Sequence, residues 1–347
     1  MEILKIGMPS GSLADPNRGG NLVKLLENAG FKASGYEAGG PTKFTTVPFL
    51  YGWDGRPQEF GSQLALDELD AAIAGDDWIR ERVIEFKLEY GRELSLEKVL
   101  SLKRGGVKLV GIIKDDAAAN TTREFLSTLD KDKKIITVVS EMPYMALNWL
   151  RMELSALGLL DRFEKYSVQK YRTPAKIESG IVVYETWGKT EAKVKNGGAD
   201  IGLEITQTGS AIRNYGLKMI DTVFESETGI YINPLLKNNA EKKELLRMFL
   251  LNLYGTVNAE NKVMLLFNVP NARLNDVIKY LTDNKLFGDE PTVNKGKEFT
   301  ELSIQVDMSN TGLPLAKIRY DLLKLTAKNI ETIPLSSSIP SLDIVNL

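Results

Sequence analysis

The segment Asp200 to Leu217, DIGLEITQTGSAIRNYGL, runs an alternating apolar stretch straight through a Thr-Gly-Ser loop into a helix-forming sequence. Ile201, Leu203 and Ile205 fall on one side of an extended chain, and Ala211 starts the helical pattern. A strand that turns through small residues into a helix is the joint of an α/β chain, and the same alternation recurs upstream. Ile3 to Met8 reads as a strand and Asn21 to Ala29 as a helix, while Leu66 to Ala74 leads into GDDWI. The pattern predicts an α/β architecture with a largely parallel sheet.

Further along, Gly105-Gly106 precedes an apolar run, Val107 to Ile113, that carries the chain into a second lobe. Lys134 to Val139 and Gly180 to Tyr184 are further strands, with a helix from about Tyr144 to Leu157 between them. Met219 to Ile232 returns the chain to the first lobe. The expected core is two lobes around a cleft, residues 1–106 with 223–254 and residues 107–222, which is also the plan of periplasmic solute-binding proteins. A helix from Glu241 to Tyr254 follows, and Gly255 is the expected domain boundary. Beyond it the order is strand, helix, strand, helix, strand, with room for one more strand near Pro291. That order predicts a ferredoxin-like module over residues 255–347, a fold used for effector binding or assembly. No internal repeat or low-complexity tract is evident.

With 347 residues the chain has room for two or three domains. Its 43% hydrophobic and 26% charged residues belong to a soluble globular protein, and no apolar run reaches membrane-spanning length. The opening MEILKIGMPSGSL has no signal-peptide pattern, so the expected location is cytoplasmic. A formal charge of -2 gives no basic footprint for nucleic acid. The chain contains neither Cys nor His, which removes disulfides, thiolate nucleophiles, imidazole bases and His or Cys metal sites together. Chemistry is left to carboxylates, Lys, Arg, hydroxyls, backbone amides or an oxygen-bound cation.

Thr208, Gly209 and Ser210 bring small residues whose backbone N–H groups can cradle a phosphate at the start of a helix. Asp200 and Glu204, just before the loop, are placed to accept sugar hydroxyls or to hold magnesium. The other reading is an ordinary strand-turn-helix joint. Phosphate beside sugar points to a phosphoribosyl group, whose transfer needs charge stabilisation and alignment more than a base.

Several short motifs in order carry a resemblance. They are Pro9, Gly11 and Leu13; Arg56-Pro57-Gln58-Glu59; Gly75-Asp76-Asp77-Trp78; Ser140-Glu141-Met142-Pro143; Gly188-Lys189-Thr190-Glu191; and Thr208-Gly209-Ser210-Ala211-Ile212-Arg213. Together they resemble the long form of ATP phosphoribosyltransferase, over nearly the whole chain. Pro291-Thr292-Val293 and Ile333-Pro334-Leu335 are similar to words of that family's regulatory, ACT-like domain. The resemblance implies phosphoribosyl pyrophosphate and ATP as substrates, magnesium on the pyrophosphate, histidine as feedback inhibitor and a homo-oligomer, dimer or hexamer. It implies catalytic roles for Arg56, Glu204 and Arg213. Asp77, Glu141, Lys189, Thr190, Glu191, Asp200, Thr206, Thr208, Gly209, Ser210 and Ala211 would bind substrate, with Asp200 and Glu204 as metal ligands beside the pyrophosphate.

Four departures stand out. The first loop, Pro9-Ser10-Gly11, lacks the family's Lys, and Arg18 is the nearest replacement. Lys43 is the corresponding substitute before the next strand. Ala211 takes the place of a hydroxyl-bearing Thr, and about 20 residues from Gly158 to Ser179 read as an insertion, of a length at which loops carry function or disorder. The altered loop leaves open a paralogue that accepts another base, and the two-lobed plan leaves open a non-catalytic binding or regulatory subunit. Single residues keep rival readings too: Asp77 as an N-cap, Glu141 as a helix cap, Arg56 in a surface salt bridge, Arg213 on a solvated face, and Trp187 either in a core or on an adenine ring.

Overall fold

β1 (Leu4–Pro9) places Leu4, Ile6 and Met8 wholly out of water, and the chain builds its first lobe outward from this strand. The structure is a computed structural model and describes residues 2–10, 13, 21–36, 42–288 and 290–347. After β1 come α1 (Leu22–Asn28), β2 (Ala33–Ser34), β3 (Lys43–Phe44), β4 (Leu50–Gly55), α2 (Pro57–Ala65), β5 (Ala71–Gly75), α3 (Asp76–Tyr90) and β6 (Glu97–Ser101). β4 and β5 flank β1 in parallel. The small side chains of β5, Ala71, Ala72 and Ala74, are fully buried, as a strand covered on both faces requires.

The second lobe comprises β7 (Val107–Lys114), α4 (Thr122–Ser127), β8 (Ile135–Ser140), α5 (Pro143–Ala156), β9 (Tyr166–Lys170), β10 (Gly180–Glu185), α6 (Thr190–Lys195), β11 (Ile201–Thr206), α7 (Ser210–Asn214) and β12 (Leu217–Ser226). Its sheet order is β12-β7-β11-β8-β10-β9. Continuous apolar runs in β8 and β10, including Val138, Val139, Ile181, Val182 and Val183, are buried on both faces. The segment read as an insertion supplies β9, an edge strand parallel to β10.

β13 (Thr228–Ile232) returns the chain to the first sheet, whose order is β4-β1-β5-β13-β6. In each sheet three parallel strands, β4-β1-β5 or β10-β8-β11, are followed by an antiparallel strand that enters from the other lobe. The chain thus repeats one plan twice, a repeat of topology that residue identities do not display. The return falls at Glu227, later than the expected 222/223 boundary, because β12 keeps pairing with β7 as far as Ser226. The two crossing segments bind each other: Leu102 N–H donates to Thr228 O (2.9 Å) and Thr228 N–H to Arg104 O (2.8 Å). α3 of the first lobe joins the core of the second through Ile84, with Trp78 and Leu88 beside it.

The chain divides into two units, Met1–Val23 with Ala33–Lys243, and Lys24–Lys32 with Glu244–Leu347. Residues 24–32, expected in the first lobe, thus belong to the second unit, where the Phe31 ring lies 5.0 Å from that of Phe249. α8 (Ala240–Ala259) runs unbroken through Gly255, so that glycine is no linker. A Cβ there would lie 2.5 Å from Ile339 Cγ1, and Gly255 O accepts Ser338 N–H (2.8 Å), so the position admits the close passage of the C-terminal segment.

β14 (Lys262–Pro270), α9 (Leu274–Asp283), β15 (Thr292–Lys295), β16 (Phe299–Asp307), α10 (Leu315–Lys324) and β17 (Lys328–Pro334) complete the second unit. Their sheet, β15-β16-β14-β17, is antiparallel throughout, the ferredoxin-like order. β16 alternates strictly: Thr300, Leu302, Ile304 and Val306 are buried while Glu301 and Gln305 face out. Among the described residues no helix is long and apolar enough to cross a membrane.

Candidate active site

The loop between β11 and α7 has the conformation its glycine requires. Gly209 sits at φ +70°, and its N–H donates to Thr206 Oγ1 (2.8 Å). Thr208 Oγ1 and Ser210 Oγ share a hydrogen bond (2.9 Å), and Arg213 Nη2 folds back to donate to Thr208 O (3.0 Å). A Cβ on Gly209 would stand 2.9 Å from Met219 Cε, so the turn excludes side chains by space as well as by φ. A cavity of about 400 Å³ opens on this loop, with Lys108, Thr206, Thr208 and Thr222 on its walls.

A second cavity, about 460 Å³, draws on both lobes: Ser10, Asp77 and Trp78 from one, Glu141, Ile205 and Gln207 from the other. Gln207 lines this cavity and the first, so the loop stands between them. The adjacent acids at the start of α3 divide their work. Asp76 ties the lobe crossing together through Lys98 Nζ (2.8 Å) and Tyr231 Oη, and Lys98 also reaches Glu227 (2.9 Å). Asp77 is 4% exposed, its N–H donates to Ser226 Oγ (3.1 Å), and burial raises its carboxyl above the usual range. Its Oδ1 also accepts the N–H of the next residue, Trp78 (2.9 Å), but Asp77 lies inside α3, whose N-cap is Gly75 without a side-chain cap, so the expected N-cap role is not the one it takes.

Glu204 is the most perturbed group of the loop region. Burial, then the negative charges of Glu191 and Glu141, push its carboxyl up to about 7, although the nearby Thr190 hydroxyl favours the charged form. Oε1 accepts Ile205 N–H (3.0 Å), while Oε2 is buried with no hydrogen-bond partner. Burial likewise raises Glu141, which receives the Gly188 N–H. Thr190 is buried against Thr186 Oγ1 (3.3 Å), and Lys189 takes a left-handed turn at φ +60° ahead of α6. An orphaned carboxylate oxygen amid other carboxylates fits a sugar hydroxyl or a cation. Among the described residues no group of three or more His, Cys, Asp or Glu side chains converges to hold a metal by itself.

Asp200 lines none of the cavities described. Its carboxylate accepts from Lys133 Nζ, Thr137 N–H and Thr137 Oγ1, each at 2.8 Å, and pins the start of β11 to β8. Six residues of extended chain, ~20 Å, separate it from Thr206. Lys43 lies exposed on β3, outside the cavities described, and Arg18 falls outside the described residues. Ala211 is exposed in the first turn of α7. Arg56 precedes Pro57, the first residue of α2, in the extended conformation that a following proline favours. It lines neither loop cavity; its guanidinium lies 5.9 Å from the ring centre of Trp187.

That contact belongs to a third cavity of about 370 Å³ that sequence reasoning did not find, walled by Trp78, Tyr144, Trp187, Glu85 and Glu185 beside Arg56. Trp187 is 79% exposed, so it is not a core residue. Glu81, also unforeseen, is 6% exposed and accepts Tyr144 N–H (2.9 Å) and Met145 N–H (2.7 Å), capping α5 from the opposite lobe. Burial pushes its carboxyl up to about 8. Two signals were available: Glu81 is one helical turn beyond Asp77, and Pro143 at a helix start leaves the next N–H groups needing an acceptor.

Fold and cavities together define a two-lobed α/β protein with a glycine-turned loop and buried carboxylates beside one cleft. The chain belongs to the ATP phosphoribosyltransferase family, whose sequence model matches residues 56–254. The ATP phosphoribosyltransferase of Geotalea daltonii is 27% identical over 97% of this chain and 99% of its own length. ATP phosphoribosyltransferase 1 of Geobacter sulfurreducens is 26% identical over the same shares. Among solved structures, a chain of the ATP phosphoribosyl transferase (HisG:HisZ) complex from Thermotoga maritima is 14% identical with a TM-score of 0.49, covering 72% of this chain and 98% of that one.

Proposed function

We propose that this chain is an ATP phosphoribosyltransferase: it joins the phosphoribosyl group of phosphoribosyl pyrophosphate to the adenine ring of ATP, the first step of histidine biosynthesis. The observation that carries the reading is the family match over residues 56–254, which spans the Gly209 loop and the carboxylates beside it. A ring nitrogen lone pair forms the new bond to the anomeric carbon, and the bond to pyrophosphate breaks with its electron pair leaving on oxygen. That nitrogen carries no proton, so a chain without His needs no imidazole base.

The loop Thr206 to Ala211 holds the 5-phosphate through backbone N–H groups and the hydroxyls of Thr208 and Ser210. Glu204, Glu191, Glu141, Asp77 and Thr190 surround the ribose, where the free oxygen of Glu204 accepts a hydroxyl or shares in a cation. Lys189 sits at the rim of that group. Magnesium supplies charge neutralisation on the pyrophosphate. Arg213 stiffens the loop and offsets its phosphate, and Arg56 faces the acceptor side. Residues 244–347 are assigned effector binding, with histidine the inhibitor, and homo-oligomer assembly.

Pyrophosphate release and the mass of the nucleotide product test the reading. The expected product is ATP carrying one phosphoribosyl group. Turnover with another base and none with ATP would remove the acceptor assignment while sparing the transferase.

A further inference from the structure

A tryptophan that is 79% exposed, on a loop between β10 and α6, needs a reason to be there. Trp187 faces a cavity that two more aromatic rings, Trp78 and Tyr144, line together with several carboxylates, and whose volume of about 370 Å³ suits a small ligand. This cavity and the cleft cavity that touches the phosphate loop share two walls, Trp78 and Glu141. A ligand in one therefore meets a ligand in the other at Glu141.

We infer that this aromatic cavity is the subsite for the acceptor's base, with Trp187 as its stacking platform and the Glu85 and Glu185 wall facing the base's amine. The inference rests on the acceptor reading above and adds where the base lies. Three observations decide which end of a nucleotide fits. The carboxylate of Glu185 accepts amine hydrogens and repels a phosphate chain, and the Glu85 oxygen not held by Arg82 adds a second acceptor. Arg82 cannot draw phosphate in, since it is engaged with Glu85 and with Gln58 O (2.7 Å). Arg56 lies over the Trp187 ring at 5.9 Å, which leaves the indole largely open and sets a cation at the rim for the phosphates. A base stacked on Trp187 directs its reacting edge toward Glu141 and the cleft.

The test is calorimetric titration of the full-length chain with ATP and, separately, with phosphoribosyl pyrophosphate, both with magnesium, in the unsubstituted protein, Trp187→Ala and Trp187→Phe. Loss of one stacking partner weakens base binding by about 10-fold. The expected result is that loss for ATP in Trp187→Ala, recovery of most of it in Trp187→Phe, and phosphoribosyl pyrophosphate affinity unchanged in both. ATP affinity unchanged in Trp187→Ala, in a protein that still turns ATP over, overturns the inference alone. Equal weakening of both ligands overturns it too, because the loop would then be a general support. No ATP turnover by the unsubstituted protein overturns the acceptor reading itself.

Discussion

Two carboxylates four residues apart, one just before β11 and one within it, are separated completely by their surroundings. Asp200, at the start of β11, has three partners at 2.8 Å and no atom to spare. Glu204, near the end, has an oxygen buried without a partner and a proton affinity raised by burial and by two neighbouring acids. Both stand near the loop in sequence, and sequence alone assigned both to substrate. A carboxylate whose acceptor capacity is spent inside the fold holds structure together, whereas one kept desolvated and incomplete is held ready for a ligand.

The largest effect follows from that contrast. Glu204→Gln is expected to lower turnover about 100-fold, the scale of losing one buried group that meets the charge developing in the transition state. Asp200→Ala should leave turnover nearly intact and instead cost about 1–3 kcal/mol of stability, since Thr137 and Lys133 lose their acceptor. Steady-state rates and thermal melts of the two variants check both halves. An Asp200 variant that folds normally and is inactive would break the comparison.

Next comes Gly209→Val. Left-handed backbone costs a side chain about 1–2 kcal/mol even before it meets Met219. Phosphoribosyl pyrophosphate affinity should fall on the order of 10-fold, as read by calorimetry, while ATP affinity holds. Equal losses for both ligands would make the loop a structural turn only.

Glu81→Ala sharpens the contrast from the opposite lobe, because Glu81, like Asp200, has both oxygens occupied. Removing it strands two α5 N–H groups and should cost about 1–3 kcal/mol, read as a lowered melting temperature. An unchanged melting temperature would deny that this carboxylate joins the lobes.

The last effect is one of pH. In the unfolded chain Glu204 releases its proton near the ordinary value of 4.5, and in the folded chain near 7. Between those values the folded state holds a proton that the unfolded state has lost, so Glu204 costs stability increasingly as pH rises from about 4.5 to about 7, and fully above. Glu204→Gln should relieve that cost. Its melting temperature relative to the unsubstituted protein should climb over that window, by about 2–4 °C for each kcal/mol relieved. A difference that does not vary with pH would mean that Glu204 titrates normally.

Much of the fold could be read from local pattern. The strand periods of Val107 to Ile113 and Phe299 to Met308, the proline that sets Arg56 extended and the glycine that turns the loop all act within a few residues. What escaped depends on distant partners. Asp200 is saturated by residues 63 and 67 positions away, and Gly255 is a packing position only because the chain passes over it near Ile339. The aromatic cavity draws on residues 78, 144 and 187, on three different elements. The exposed state of Trp187 is set by the fold, since its sequence neighbours suit a core equally well.

The most direct test is pyrophosphate release from phosphoribosyl pyrophosphate and ATP by the unsubstituted protein, Asp200→Ala and Glu204→Gln in parallel, with the product weighed by mass spectrometry. The unsubstituted protein and Asp200→Ala should form the phosphoribosyl adduct of ATP at similar rates, and Glu204→Gln about 100-fold more slowly. Equal rates in all three, or loss in Asp200→Ala with Glu204→Gln unaffected, would contradict the account.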